Sequence, residues 1–398
     1  MTTRNLFFNK TLIKKLCTSG NIAILSAIIP IHAYAQANSP KSATNANPLS
    51  SLFYWADPTA IEYNGRVYVY GSNDQQQYDS DPNAQSNNYS KITQFRVMSS
   101  EDMVNWQIHN VINVKSVCPW IYTSWAPSIT SRVESDGKTH FYMYFTNNAG
   151  SIGVMTATSP LGPWTDPIGG ALINWNTPGR GEMSNIIDPG VTIDNQGVGW
   201  LAFGGGNPNS QGSKSMPGNA RIVRLGSDMK SLVGNIRKID APHHFEANEL
   251  NYIGGKYVFS YCQNWSAPDA CAMRYMTATD PINGTWTDHG TLFRNPGNFG
   301  YSYGNNHTHL QKFKGNWYLF YHTQWLEKKN GIDKGFRNIS CQQVTVDENN
   351  VSFSEIRANN QGPSQISSSK VNPFTAQSAA SMATQQENSV LQAKTTST

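Results

Sequence analysis

Charge is scarce in this chain of 398 residues: Asp, Glu, Lys and Arg together make up 14% of it. So little charge, beside 11% aromatic residues, disfavours both a disordered chain and a helical bundle. Long hydrophobic runs are missing too. The most apolar stretch, Ile22 to Ile31, falls well short of the about 20 residues that span a bilayer. Cysteine is sparse, five in all, and no two are spaced Cys-x-x-Cys, so a zinc ribbon or dithiol redox motif has no support. A P-loop and a Gly-x-Gly-x-x-Gly strand–helix turn are absent, which removes the common nucleotide-binding readings. A concentrated positive field is lacking as well. The formal charge is +4, and four of the cations (Arg4, Lys10, Lys14 and Lys15) sit together before Ile22. The remainder is balanced, which argues against a nucleic-acid partner or an anionic membrane.

What is present begins with that basic start. It is followed by the apolar stretch and by Ala33-Tyr34-Ala35, the pattern of a secretory signal peptide over residues 1–35. The chain is therefore expected to be exported, secreted or periplasmic. Residues 36–48 read as a polar linker and 49–360 as the folded part. Residues 361–398, rich in Ser, Ala, Gln and Thr, read as a disordered tail. Outside the cytosol Cys262 and Cys271 could close a short loop as a disulfide; two buried thiols are the alternative.

The folded part repeats itself. Gly65 to Gly71, Lys138 to Phe145, Gly199 to Gly204, Gly255 to Tyr261 and Gly315 to Tyr321 are five short aromatic and β-branched runs entered through a Gly or polar turn. Each follows another short strand by about ten residues, and convincing helical periodicity is absent. Five units of about four strands predict an all-β, five-bladed β-propeller. A β-sandwich suits the composition but not the fivefold recurrence.

Innermost strands of a propeller converge on one axis, so acids at their entries matter most. Asp57-Pro58 opens the first unit, Asp188-Pro189 the third and Phe245-Glu246 the fourth; Trp125-Ala126-Pro127 opens the second and Asn306-His307 the fifth. A single Asp-Pro is ordinarily a turn. Three carboxylates near one axis repel, so at least one should keep its proton, and a protonated acid facing a carboxylate is what glycoside hydrolysis needs.

In this order and spacing the five entries resemble glycoside hydrolase family 43, over about residues 50–357. The resemblance implies a five-bladed propeller of inverting enzymes acting on arabinose- and xylose-containing plant cell-wall polysaccharides. By motif, Asp57 resembles the general base, Asp188 the carboxylate that tunes the acid, and Glu246 the general acid. Asn248 stands where the family often has proline. Glu249, three residues beyond Glu246, is expected on the opposite strand face. His307 resembles a channel histidine that carries calcium, and Arg337 a residue beside substrate. Trp55 and Trp125 are candidate sugar platforms, with core packing as the alternative for each. The expected activity is release of α-L-arabinofuranosyl units from arabinoxylan by a monomer. A β-xylosidase is the nearest alternative and a non-catalytic carbohydrate-binding propeller the more distant one. Asn372-Pro373-Phe374 and Ser381-Met382-Ala383 resemble the start of a family 6 carbohydrate-binding module, without enough chain after it for a second folded domain.

Overall fold

The computed structural model describes residues 47–206 and 218–367. The predicted leader, most of the linker, Cys17 and the module-like tail lie outside them. Within them the chain forms five antiparallel blades in sequence order, followed by a small two-stranded sheet, Val346–Asp347 with Ser352–Phe353. Blade I comprises Ala56–Tyr63, Arg66–Ser72, Gln94–Ser100 and Gln107–Ile108, with Ile112–Asn113 also on its third strand. Blade II comprises Trp125–Val133, Thr139–Asn147, Ser151–Ala157 and Ile173–Asn174. Blade III has Gly190–Ile193, Gly199–Phe203, Arg221–Leu225 and Leu232–Lys238, and blade IV His244–Ile253, Lys256–Gln263, Met273–Ala278 and Thr287–Phe293. Blade V has three strands, Thr308–Phe313, Asn316–Thr323 and Asn338–Val344.

Local chemistry explains the hairpins. Asn64-Gly65, Gly254-Gly255 and Lys314-Gly315 each place two successive residues at positive φ, the turn that matches the twist of paired strands. Between neighbouring blades the inward faces interlock. Five hydrophobic clusters fill the five interfaces, each drawing its residues from two adjacent blades. The first strand of every blade packs against the first strand of the next, and that of blade I against that of blade V. The result is the expected five-bladed propeller.

Closure of the ring corrects the expected boundaries. Asn47 is buried beside blade V: its Nδ2 donates to Cys341 O at 2.8 Å, and Cys341 N donates to its Oδ1 at 2.8 Å. Leu49 N donates to Ile339 O at 2.9 Å. The segment assigned to the linker thus supplies the missing edge of the last blade. At the other end Ile366 N donates to Asp102 O at 3.1 Å and Gln365 Nε2 to Asp102 Oδ2 at 2.8 Å, so the ordered part continues past residue 360. The Asn47 side chain satisfies the Cys341 backbone and the Ile366 amide satisfies the Asp102 carbonyl, which composition alone does not reveal.

Candidate active site

The same distortion recurs where the innermost strands begin. In blade I the pairing register slips between Ala56 and Thr59, in blade II between Trp125 and Ser128, and in blade IV around Glu246. At these slips Asp57, Ala126 and Ala247 adopt left-handed backbone, φ 53°, 44° and 59°, and Asp188 at the blade III entry does likewise at 51°. Such a conformation costs a non-glycine residue on the order of 1 kcal/mol, and bulges of this kind re-aim side chains. The blade IV bulge also reverses a sequence expectation. Glu246 is opposite Cys262 and Glu249 opposite Ser260. Partners two residues apart share a face, so Glu249 lies on the same side as Glu246 rather than on the opposite one.

Asp57 is buried and held from several directions. Its Oδ1 accepts from Arg337 Nη1 at 2.8 Å and its Oδ2 from Ser72 Oγ at 2.7 Å. His307 Nδ1 lies 3.6 Å from Oδ1. The Asp57 amide donates to His322 Nδ1 at 3.2 Å, which places the His322 proton on Nε2, facing Asn305 O at 2.9 Å. Burial alone would raise the Asp57 pKa, but Arg337 and His307 outweigh it and hold the carboxyl well below the usual range. Asp57 is ionised. His322, desolvated and facing Arg337, is pushed down to about 3 and is neutral.

Asp188 and Glu246 face the opposite situation. The Asp188 amide donates to Thr146 Oγ1 at 2.7 Å, and its Oδ2 accepts from Ala247 N at 2.7 Å, which ties it to the residue after Glu246. Asn248, where the family often has proline, donates from Nδ2 to Asp188 O at 2.9 Å and to Gly204 O at 2.7 Å. Its amide replaces a rigid ring with cross-links between blades III and IV. Burial raises the pKa of Asp188. Burial, then the negative charges of Asp188 and Asp57, pushes Glu246 up to about 8. Near neutral pH this neighbouring pair holds a proton, and Glu246 carries it.

Asp57, Asp188 and Glu246 line one cavity of ≈ 200 Å³ together with Trp125, His307, Asn306, Arg337 and Tyr89. At about 30 Å³ per water this is room for one small sugar ring and solvent. Six of the seven expected residues therefore meet. The exception is Trp55, which has no solvent exposure and packs with Leu49, Phe53 and Phe320 between blades V and I. It is core, not a platform. Trp125 keeps a pocket-facing surface, and its Nε1 donates to Tyr89 O at 3.0 Å. Arg337 is 3% exposed, so it is no solvated surface residue. Asp74, on the short helix Asp74–Ser80, was not identified from sequence. It has no exposure and accepts from Arg337 Nε and Nη2, each at 2.9 Å. Tyr89, whose ring lies 4.8 Å from the same guanidinium, was missed as well. Both sit in the connection of residues 73–93, which has no motif. Residues 300–304 spell Gly-Tyr-Ser-Tyr-Gly, the pattern of a serine-hydrolase elbow, but they join the turn Pro296–Phe299 to a strand instead of a strand to a helix.

Among the described residues no group of three or more His, Cys, Asp or Glu side chains is arranged around a metal position. Glu249 Oε1 and both nitrogens of His309, two residues beyond His307, are buried without an aligned hydrogen bond, although Glu249 Oε1 and His309 Nδ1 lie 2.7 Å apart. Calcium takes oxygen donors, and Glu249 Oε1 is the one oxygen among these three atoms.

A five-bladed propeller with three carboxylates at its mouth, one ionised and one protonated, defines a glycoside hydrolase of the two-carboxylate type. The chain belongs to glycosyl hydrolases family 43, whose model matches residues 45–352. It is 36% identical over 374 residues to an arabinoxylan arabinofuranohydrolase of Paenibacillus polymyxa, covering 89% of this chain but 58% of that protein. The crystal structure of the Bacillus subtilis arabinoxylan arabinofuranohydrolase, in complex with cellotetraose, is 38% identical with a TM-score of 0.77. That match covers 84% of this chain and 72% of that one. A β-xylosidase/α-arabinofuranosidase from a compost metagenome, solved with xylotriose in a calcium-free form, shares the fold at 24% identity. Its TM-score is 0.62, over 80% of this chain and 98% of that one.

Proposed function

We propose that the chain is an inverting glycosidase that releases α-L-arabinofuranosyl units from arabinoxylan-type plant polysaccharide. The observation that carries this is the pairing, in a cavity sized for one sugar, of an ionised Asp57 with a protonated Glu246. Glu246 gives its proton to the glycosidic oxygen as the bond to the anomeric carbon breaks. Asp57 takes a proton from a water that attacks that carbon from the other side. Its low basicity suits a late role, because the water becomes acidic only as it bonds to the electron-poor ring. The Asp188 carboxylate keeps the proton on Glu246 until the leaving oxygen needs it. All three groups come from one chain, so a monomer suffices.

The substrate class is supported by the names of the relatives and by the pocket-side loops. Among the described residues the four exposed large aromatics, Tyr122, Trp175, Trp265 and Tyr303, all lie in connections on the side where the first strands begin. Flat, amphipathic rings of this kind suit a polysaccharide surface. Export to the periplasm or medium is supported by the leader pattern of residues 1–35. We further propose a calcium ion at His307, with water completing its shell; it would add positive charge beside the carboxylates. The deciding assay compares 4-nitrophenyl α-L-arabinofuranoside, 4-nitrophenyl β-D-xyloside and arabinoxylan. Free arabinose from the first and third supports the reading. Xylose as the main product would make the chain a β-xylosidase, and no release at all would leave a binding propeller.

A further inference from the structure

Four cysteines lie among the described residues, all buried, and they do not lie in one place. Cys118 belongs to the cluster between blades I and II, and Cys341 to that between blades V and I. Cys262 and Cys271 share the cluster between blades IV and V, with their Sγ atoms 2.9 Å apart. That is closer than the about 3.5–4.0 Å of ordinary nonbonded contact.

We propose that Cys262 and Cys271 form a disulfide that locks the pocket-side loop of blade IV behind the general acid. Cys262 is the cross-strand partner of Glu246. Cys271 holds left-handed backbone at φ 54°, and its carbonyl accepts from Asn306 Nδ2 at 3.2 Å and Asn295 Nδ2 at 3.3 Å. Asn306 lines the pocket at the entry of blade V, next to Glu246's strand. The bond therefore joins the strand paired with the one that carries the acid to the loop that anchors the neighbouring wall. Between the two sulfurs the chain carries Trp265, 47% exposed on the pocket side. A cross-link across this loop limits where that ring can go.

The oxidant is a disulfide, such as oxidised glutathione or a disulfide-bearing oxidoreductase. One cysteine thiolate attacks it, forming a mixed disulfide and releasing one donor thiol. The second cysteine then attacks the first cysteine's sulfur and releases the other. The two cysteines lose two hydrogens and the donor gains them. Neither Sγ is accessible in the folded ring, so the exchange takes place before blade IV closes. Once made, the bond is shielded from reductant.

Trypsin leaves both cysteines in one peptide, Tyr257–Arg274, which has no internal Lys or Arg. The full chain is refolded in glutathione buffer, denatured with excess alkylating reagent and digested without reduction. The expected peptide is unalkylated and about 2 Da lighter than the dithiol, while the peptides of Cys118 and Cys341 are alkylated. A doubly alkylated Tyr257–Arg274 overturns the proposal. As a check that does not depend on the digest, refolding under reductant should lower the melting temperature of the wild type. It should leave Cys262→Ala and Cys271→Ala unchanged, each already at the lower value. An equal fall in all three would overturn it too.

Discussion

Arg337 ties Asp57 to Asp74 through a single guanidinium: Nη1 reaches Asp57 Oδ1 at 2.8 Å while Nε and Nη2 each reach Asp74 at 2.9 Å. Planar, forked donors can serve two carboxylates at once only when their positions are fixed. Here the helix Asp74–Ser80 fixes one and the blade I bulge fixes the other.

This relationship predicts a positioning role for Asp74, which lies behind Arg337. Asp74→Asn keeps the shape but gives up the charge that orients the guanidinium. The kcat should fall by about tenfold or more with KM little changed, and the acid limb of the pH profile should move down, because loss of a negative charge beside Arg337 leaves the surroundings of Asp57 more positive. A pH–rate series on wild type and variant checks this. A change in melting temperature alone, with an unmoved profile, would make Asp74 merely structural.

For the acid, Glu246→Gln removes the transferable proton. Turnover of arabinoxylan should drop about 10²–10⁴-fold, and turnover of 4-nitrophenyl substrates, whose leaving group needs little protonation, much less. Glu249→Gln should not show that split.

Glu246 also links activity to stability. Its folded pKa, about 8, lies above the ordinary carboxyl value. The native state therefore binds the proton more tightly than the unfolded chain, and stability falls as pH rises from the ordinary range toward 8. Glu246→Gln should then melt higher than wild type at pH 8, by roughly 2 °C or more, with the gain fading toward pH 4. Calorimetry at both pH values gives the comparison.

The two tryptophans should separate cleanly. Trp55→Ala empties a fully buried site and should destabilise by about 3–5 kcal/mol, measured by denaturant titration. Trp125→Ala, at the pocket wall, should raise KM with a small effect on melting.

Much of this was legible in sequence because propeller blades repeat. The Asp57-Pro58, Ala126-Pro127 and Asp188-Pro189 entries share one backbone solution, left-handed before proline, and the pattern survives in the spelling. Less legible were features that depend on register. The bulge that turns Glu249 toward the same side as Glu246 follows from two pairings, not from alternation. Trp55 reads like a platform beside Asp57, yet it packs between blades V and I under the ring closure. Asp74 and Tyr89 lie in an unpatterned connection and acquire meaning only from Arg337, some 260 residues away in sequence. Asn47 looked like linker because one buried amide among polar residues carries no periodic signal.

The central claim is that Glu246 holds a proton opposite an ionised Asp57. Carbon-13 NMR of the enzyme labelled at the glutamate carboxyl carbons, titrated from pH 4 to pH 10, tests it directly. The account predicts one carboxyl titrating at about 8 that disappears in Glu246→Gln. A spectrum in which every glutamate has ionised by pH 6 would contradict it.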